Sequence, residues 1–221
     1  MTATNTAPAA GVRAPLTLIG IGALAMAAVE ALNPEYDLVS ETLSRYVHGT
    51  AGRLLPVALL AVGAASAVLV VRLGARTRRA GRAAIVVWTA GILVAALFPA
   101  DPPGHWSRPS LSELVHGNAA FLAFAALPTA AVLLRRTLAA RQRQALRTAL
   151  NALTMASATL TAALAVFLVD VMDGGPSLGF GDTPTLVGLV ERLVLAADLG
   201  WVALALAAAG TRNEQGRDRH A

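Results

Sequence analysis

Six apolar stretches, at about residues 15–32, 54–72, 83–99, 115–134, 148–170 and 187–209, constrain this chain more than any other feature. Each is rich in Ala, Leu and Val. A helix needs about 20 mostly apolar residues to cross a bilayer, and even the shortest stretch, at about 17, reaches the lower limit. Strands of a membrane barrel would run for about 10 residues and alternate apolar with polar, and no segment here does so. The expected fold is an all-α integral membrane protein, a six-transmembrane-helix bundle. Residues 1–14 and 211–221 read as flexible tails around a transmembrane domain of residues 15–210. The first stretch reads as a retained helix: one Arg precedes it, and no small-residue cleavage site follows it before Asn33 and Pro34.

The arginines orient the bundle. Every basic residue is Arg, and the 18 of them give a formal net charge of +5 against 13 acids. The sequence pI near 11.1 does not indicate nucleic acid, because these arginines lie between apolar runs and not on one face of a soluble body. Fourteen fall in the tails and in the second and fourth connections, and only Arg45, Arg53, Arg108 and Arg192 fall on the other side. Arg-rich segments stay in the cytoplasm, so both termini are expected there, as an even number of spans also requires. That makes the chain a multi-pass membrane protein, expected in the cytoplasmic (inner or plasma) membrane. The acids divide the opposite way. Eleven of them lie in the outer connections or in the membrane, against four arginines, a net of −7. Three of the four histidines, His48, His105 and His116, belong to the same half.

The first outer loop reads NPEYDLVSETLSRYVHGTAGR. Pro34 ends the first helix. Residues 40–46 are expected to form a short helix along the membrane surface, capped by Asp37 or Ser40, either as a solvated loop seated on headgroups or as part of a site. The second outer loop contains the turn Asp101-Pro102-Pro103-Gly104, then Trp106 at the interface, then Ser110 or Ser112 as the cap of the fourth helix. Glu113 and His116 are three apart and share a helix face, with His116 about one turn inside the membrane. Buried histidines are often only hydrogen-bonded to a neighbour, and that reading stands beside the functional one. The third outer loop has five glycines but no phosphate-loop Lys and no preceding strand, so it reads as a lid or a re-entrant segment leading to Thr183-Pro184 at the start of the sixth helix. In that helix Glu191 and Asp198 are two turns apart on one face, about 10 Å along the axis. An acid as deep as Asp198 costs about 2.5–3.5 kcal/mol to insert and faces the bundle interior, either as a functional group or paired with Arg192 or another helix. Thr154, Ser157, Thr159 and Thr161 read as hydrogen bonds to backbone or neighbouring helices.

Three stretches, NPEYDLVSETLSR, FPADPPG leading to LVHGNAAF, and GLVERLVLAADLGW, together resemble the bacterial integral-membrane family catalogued as domain of unknown function 998. The matching positions are Pro34, Tyr36, Asp37, Ser40 and Ser44; Asp101, Pro102, His116 and Gly117; and Gly188, Leu189, Arg192 and Trp201. The resemblance covers about residues 30–210 and implies six membrane helices but no activity. Relatives often carry Gln before Arg192, where this chain has Glu191, and Asp198 lies outside the family pattern.

The absence of Cys excludes disulfides, thiolate metal sites and cysteine nucleophiles. HExxH, Walker, DDxxD and G-x-S-x-G motifs are absent too, and no cofactor or metal is expected. What the residues support is an outward-facing acidic and histidine-bearing pocket built from His116, Glu191, Asp198, Asp101 and Asp37. Its expected partner is the bilayer and a lipid-like or isoprenoid small molecule. An intramembrane acid–base enzyme, of the lipid hydrolase or transferase type or the metal-independent terpene cyclase type, is one reading, because a carboxylic acid in an apolar site keeps its proton near neutral pH. A small carrier or a membrane assembly partner are the others.

Overall fold

The computed structural model describes residues 10–74, 77–102, 109–140, 142–174, 178–181 and 183–217 and, within them, the side chains of residues 11–210. Pro103, Gly104, His105, Trp106, Arg108 and Asp182, singled out in the outer loops, lie outside the described residues. Six helices follow in order: α1 (Ala10–Ala31), α2 (Leu54–Leu73), α3 (Arg79–Leu97), α4 (Leu111–Ala139), α5 (Gln144–Met172) and α6 (Val187–Arg217), with a 3-10 helix at Leu43–His48 between α1 and α2. All six are long and apolar enough to span a membrane. The chain is a six-helix transmembrane bundle, with no named strand among the described residues.

Sequential helices pack as neighbours, and α6 returns to touch α1, α2 and α4 as well as α5. That makes α6 the most enclosed helix: 56% of its apolar window is buried, against 17% for α5. α5 therefore sits at the rim and shows most of its surface to the surroundings. Polar side chains bind the interior where two helices meet. Trp88 Nε1 donates to Ser66 Oγ at 3.0 Å between α3 and α2, and Trp201 Nε1 donates to Thr154 Oγ1 at 3.1 Å between α6 and α5. Such contacts between membrane helices contribute about 0.6–2 kcal/mol each. Pro128, inside α4, has no N–H for the Phe124 carbonyl, and Thr161 Oγ1 of α5 approaches that carbonyl at 3.5 Å. α4 and α5 each run 29 residues, about 44 Å, which exceeds the hydrocarbon core and carries them past the 115–134 and 148–170 stretches into the arginine-rich end.

At the opposite, acidic end, the α1–α2 connection folds back into the bundle. Asn33 is fully buried: its amide donates to the Val29 carbonyl at 2.5 Å and the Thr50 carbonyl at 2.9 Å, and its Oδ1 accepts from the Thr50 N–H at 2.5 Å. The backbone of Val39 and Glu41 then lies directly on α6 at Gly188, and the Leu189 N–H donates to the Val39 carbonyl at 2.9 Å. A Cβ at Gly188 would overlap the Glu41 and Val39 carbonyls, which cannot rotate away as a side chain would. Gly188→Ala is therefore expected to destabilise the bundle by about 1–3 kcal/mol despite the better helix propensity of Ala. Thermal unfolding in detergent, compared with Gly20→Ala in open space on α1, checks this.

Candidate functional site

The first outer loop differs from its sequence expectation. The helix runs over Leu43–His48 with 3-10 geometry, and Thr42 precedes it without a side-chain cap. Asp37 instead closes the turn before it, accepting from the Val39 N–H at 2.9 Å and from Ser40 Oγ at 2.6 Å. Those two bonds, the Ser40 hydroxyl first, hold the Asp37 carboxyl below its usual range. Nor does this helix rest on the surface. In a 3-10 helix residues three apart eclipse, so Leu43 and Tyr46 share one face, and both are buried in the bundle mouth. Burial raises the Tyr46 phenol above its ordinary range.

Arg192 fastens this plug. Its Nε donates to Glu30 Oε1 at 2.5 Å, and its Nη1 donates to the carbonyls of Glu41 at 2.8 Å and Gly188 at 2.9 Å. Its guanidinium also lies over the Tyr46 ring, 5.3 Å from the centroid. One side chain thus joins α1, the returning loop and α6. On the other flank Arg45 Nη1 donates to the carbonyls of Pro102 at 2.8 Å and Asp101 at 3.3 Å, and His48 Nε2 donates to the Ala100 carbonyl at 2.6 Å. Burial lowers the Arg45 pKa, and the carboxylates of Glu113, Glu41, Asp101 and Glu191 act against that shift.

Beneath the plug lies a cavity of about 370 Å³ between α4 and α5. Its upper wall is polar: Thr42, Ser44, Arg45, Glu113, His116 and Glu191. Its length is apolar, with Phe121, Phe124 and Pro128 on α4 facing Ala158, Ala162 and Ala165 on α5. His116 to Pro128 is twelve residues of helix, roughly 18 Å. Gly117, Phe121, Ala125, Ala162 and Ala165 line it and are also exposed, so it opens sideways toward the space that lipid chains fill. A second cavity of about 40 Å³ continues toward α1 and α2, and Ser44, His116, Ala120, Phe124 and Glu191 wall both.

The side chains at that junction are held from behind. Ser110 caps α4 by accepting from the Glu113 N–H at 3.1 Å. Glu113 Oε2 accepts from the Asp101 N–H at 2.6 Å. His116 Nδ1 lies 2.8 Å from the Phe98 carbonyl and 3.1 Å from that of Ala95, at the end of α3 where helix carbonyls lack partners. Carbonyls only accept, so Nδ1 carries the proton, and Nε2 is the nitrogen left for the cavity. Glu191 Oε2 accepts from the Leu43 N–H at 2.6 Å, and its Oε1 has no hydrogen-bond partner among the described residues.

Of the five candidates read from the sequence, the cavity unites His116 and Glu191. The other three line none of the cavities described here. Asp37 is spent on its turn. The Asp101 carboxylate accepts from the Ser110 N–H at 2.7 Å, so this residue positions Glu113 and the start of α4. Asp198 is fully buried against α5 and accepts from Ser157 Oγ at 2.6 Å, a pairing with another helix and not with Arg192. Sequence reasoning named Ser44 only as a family-like position and Arg45 only as an outer charge, and it passed over the small-residue face of α5. The spacing of Ala158, Ala162 and Ala165 at i, i+4 and i+7 was the available signal for the last. None of the described residues of the third loop lines the cavity; Phe180 and Thr183 instead exchange backbone hydrogen bonds at 3.0 and 3.1 Å. Among the described residues, no group of three or more His, Asp or Glu is arranged to hold a metal ion.

The model of the family described as protein of unknown function (DUF998) matches residues 18–208. The chain belongs to that family. No curated protein and no solved structure matches it. The geometry gives physical roles to family-like positions: Gly188 admits the returning loop, Arg192 fastens it, and Trp201 binds α5.

Arg192→Gln removes a cation that serves three partners. It is expected to lower stability by about 1–3 kcal/mol, with part of the loss recovered when Glu30→Gln removes the stranded carboxylate. A double-mutant cycle on thermal midpoints in detergent measures this coupling.

Proposed function

We propose that this DUF998 protein takes a lipid-like amphiphile from the bilayer and performs acid–base chemistry at its polar head. The observation that carries the reading is the form of the cavity: roughly 18 Å long, polar at one end, mostly apolar over the rest, and open along its side to lipid. Its volume of about 370 Å³ falls in the range of small-molecule sites. In this reading the chain of the amphiphile lies between α4 and α5 and the head meets His116 and Glu191. His116 Nε2 takes a proton from the head, because Nδ1 is committed to the α3 carbonyls and fixes the ring. Glu191, across the junction, is the paired acid–base group. Asp198, which lines neither cavity and whose Oδ1 accepts from Ser157, serves the α5–α6 contact.

The test uses a position where bulk is free of clash. A Cβ at Gly117 meets nothing within 4 Å, yet Gly117 lines the cavity. Gly117→Phe is expected to fold normally and to occupy the mouth. Photolabelling in vesicles with a diazirine-bearing aliphatic alcohol should mark α4 and α5 peptides in the parent chain and fall at least about tenfold in Gly117→Phe. Lipid profiling of cells should show a precursor accumulating with His116→Gln, as a rate loss of about 100-fold or more requires, while Asp198→Asn leaves the profile unchanged. Equal labelling of Gly117→Phe and the parent would sink the binding reading. An unchanged profile with His116→Gln would leave binding without chemistry.

The cavity mouth is proposed to face outward, following the arginine distribution. The chain has no native Cys, so single substitutions report topology directly. Glu35→Cys is expected to react with an impermeant maleimide on intact cells, and Arg143→Cys only after lysis; the reverse pattern would invert the orientation.

A further inference from the structure

We infer that the polar end of the α4–α5 cavity selects amphiphiles whose head donates hydrogen bonds and bears no negative charge, a hydroxyl or an ammonium, over carboxylates and phosphates. The inference rests on the amphiphile reading above and goes beyond it by naming the head. It follows from counting which atoms at the junction are already used.

Three backbone donors near the mouth are spent on carboxylates of the chain itself. The Leu43 N–H goes to Glu191 Oε2, the Asp101 N–H to Glu113 Oε2 and the Ser110 N–H to the Asp101 carboxylate. Arg45 is turned to the carbonyls of Asp101 and Pro102 and stands among Glu41, Glu113, Asp101 and Glu191. Arg192 is occupied by Glu30 and two carbonyls on the far side of the plug. What faces the cavity is of the opposite kind. His116 is nine-tenths buried and lines both cavities, and its Nε2 has no hydrogen-bond partner among the described residues. The same is true of Oε1 of Glu113 and Oε1 of Glu191. With Nδ1 protonated toward two carbonyls, Nε2 is the ring nitrogen that can accept from a donor in the cavity. Ser44 and Thr42 share one hydroxyl contact at 3.2 Å and add flexible groups of either kind.

A buried acceptor without a donor loses the water it would otherwise bind, which is costly. A hydroxyl or ammonium head supplies such donors and replaces that water. A carboxylate or phosphate head supplies negative charge and further acceptors instead, beside the Glu113 carboxylate, where like charges repel in a poorly screened setting. Arg45 does not reverse this balance, because more than one carboxylate already surrounds it.

The experiment is competition against the photoreactive alcohol, with the protein in phosphatidylcholine nanodiscs and four twelve-carbon competitors: 1-monolauroylglycerol, dodecylamine, laurate and dodecyl phosphate. The first two are expected to displace the label at concentrations at least about tenfold lower than the last two. In Glu113→Gln/Glu191→Gln, which keeps an acceptor oxygen for each backbone N–H, that gap is expected to shrink. Equal displacement by all four in the parent chain overturns the inference and leaves the amphiphile reading standing. Failure of the alcohol to label α4 and α5 at all overturns both. A gap of the expected sign that persists unchanged in the double variant also overturns it, since the discrimination would then arise elsewhere than at the two glutamates.

Discussion

The acidic end of this bundle depends on one cation. Arg192 lies on α6, the most enclosed helix, and its five donors in a planar fork let it serve a carboxylate on α1 and two backbone carbonyls at once. A loop that returns toward a membrane interior brings backbone carbonyls with it, and such groups need donors there. Arg192 supplies one of them, the close approach at Gly188 supplies the room, and Leu189 supplies a backbone hydrogen bond. This fastening acts with the Leu43 N–H on Glu191 and with Arg45 and His48 on the α3–α4 connection to hold Leu43, Ser44 and Tyr46 in the mouth of the bundle.

The plug and the cavity are consequences of each other. Because the 3-10 helix is held over the helix ends, Glu191 finds a backbone N–H at Leu43 and stays at the junction. Because the α3–α4 connection is tied to the same plug through Arg45 and His48, the carbonyls at the end of α3 are in place to fix the His116 ring. α5 stands apart from this arrangement. It is bound to α6 by two interior polar contacts, Ser157 with Asp198 and Thr154 with Trp201, while its alanine face leaves a gap toward α4. A rim helix with small residues facing its neighbour is what opens the side of the cavity to lipid.

The elements most legible in the sequence were those set by local physics. Spans are read from apolar length, so all six helices lie where the apolar stretches placed them, and the longer α4 and α5 extend only into polar flanks. The Ser110 cap and the shared face of Glu113 and His116 are local as well, and both are found. The candidate site was legible in part. His116 and Glu191 stood out because a buried titratable group is costly in a membrane. By the same criterion Asp198 stood out, and its Oδ1 finds Ser157 on α5, a partner 41 positions earlier that no spacing rule identifies. The first loop stood open between a seat on the headgroups and part of a site for a related reason. Its charged residues suggest a solvated surface, but Arg45 Nη1 donates to carbonyls 56 and 57 residues away.

The amino-acid sequence by itself determined the class of the protein, the number of spans and the family, because these rest on hydrophobic length and on motifs within a single segment. Only the tertiary structure decided which polar residues share a site. The junction of Ser44, His116 and Glu191 draws on a loop helix and on α4 and α6, and it exists because Arg192 and Gly188 bring the loop back to α6. Contacts of that kind are set by which helices pack together and at what rotation, and each hydrogen bond in them joins residues whose separation along the chain carries no signal.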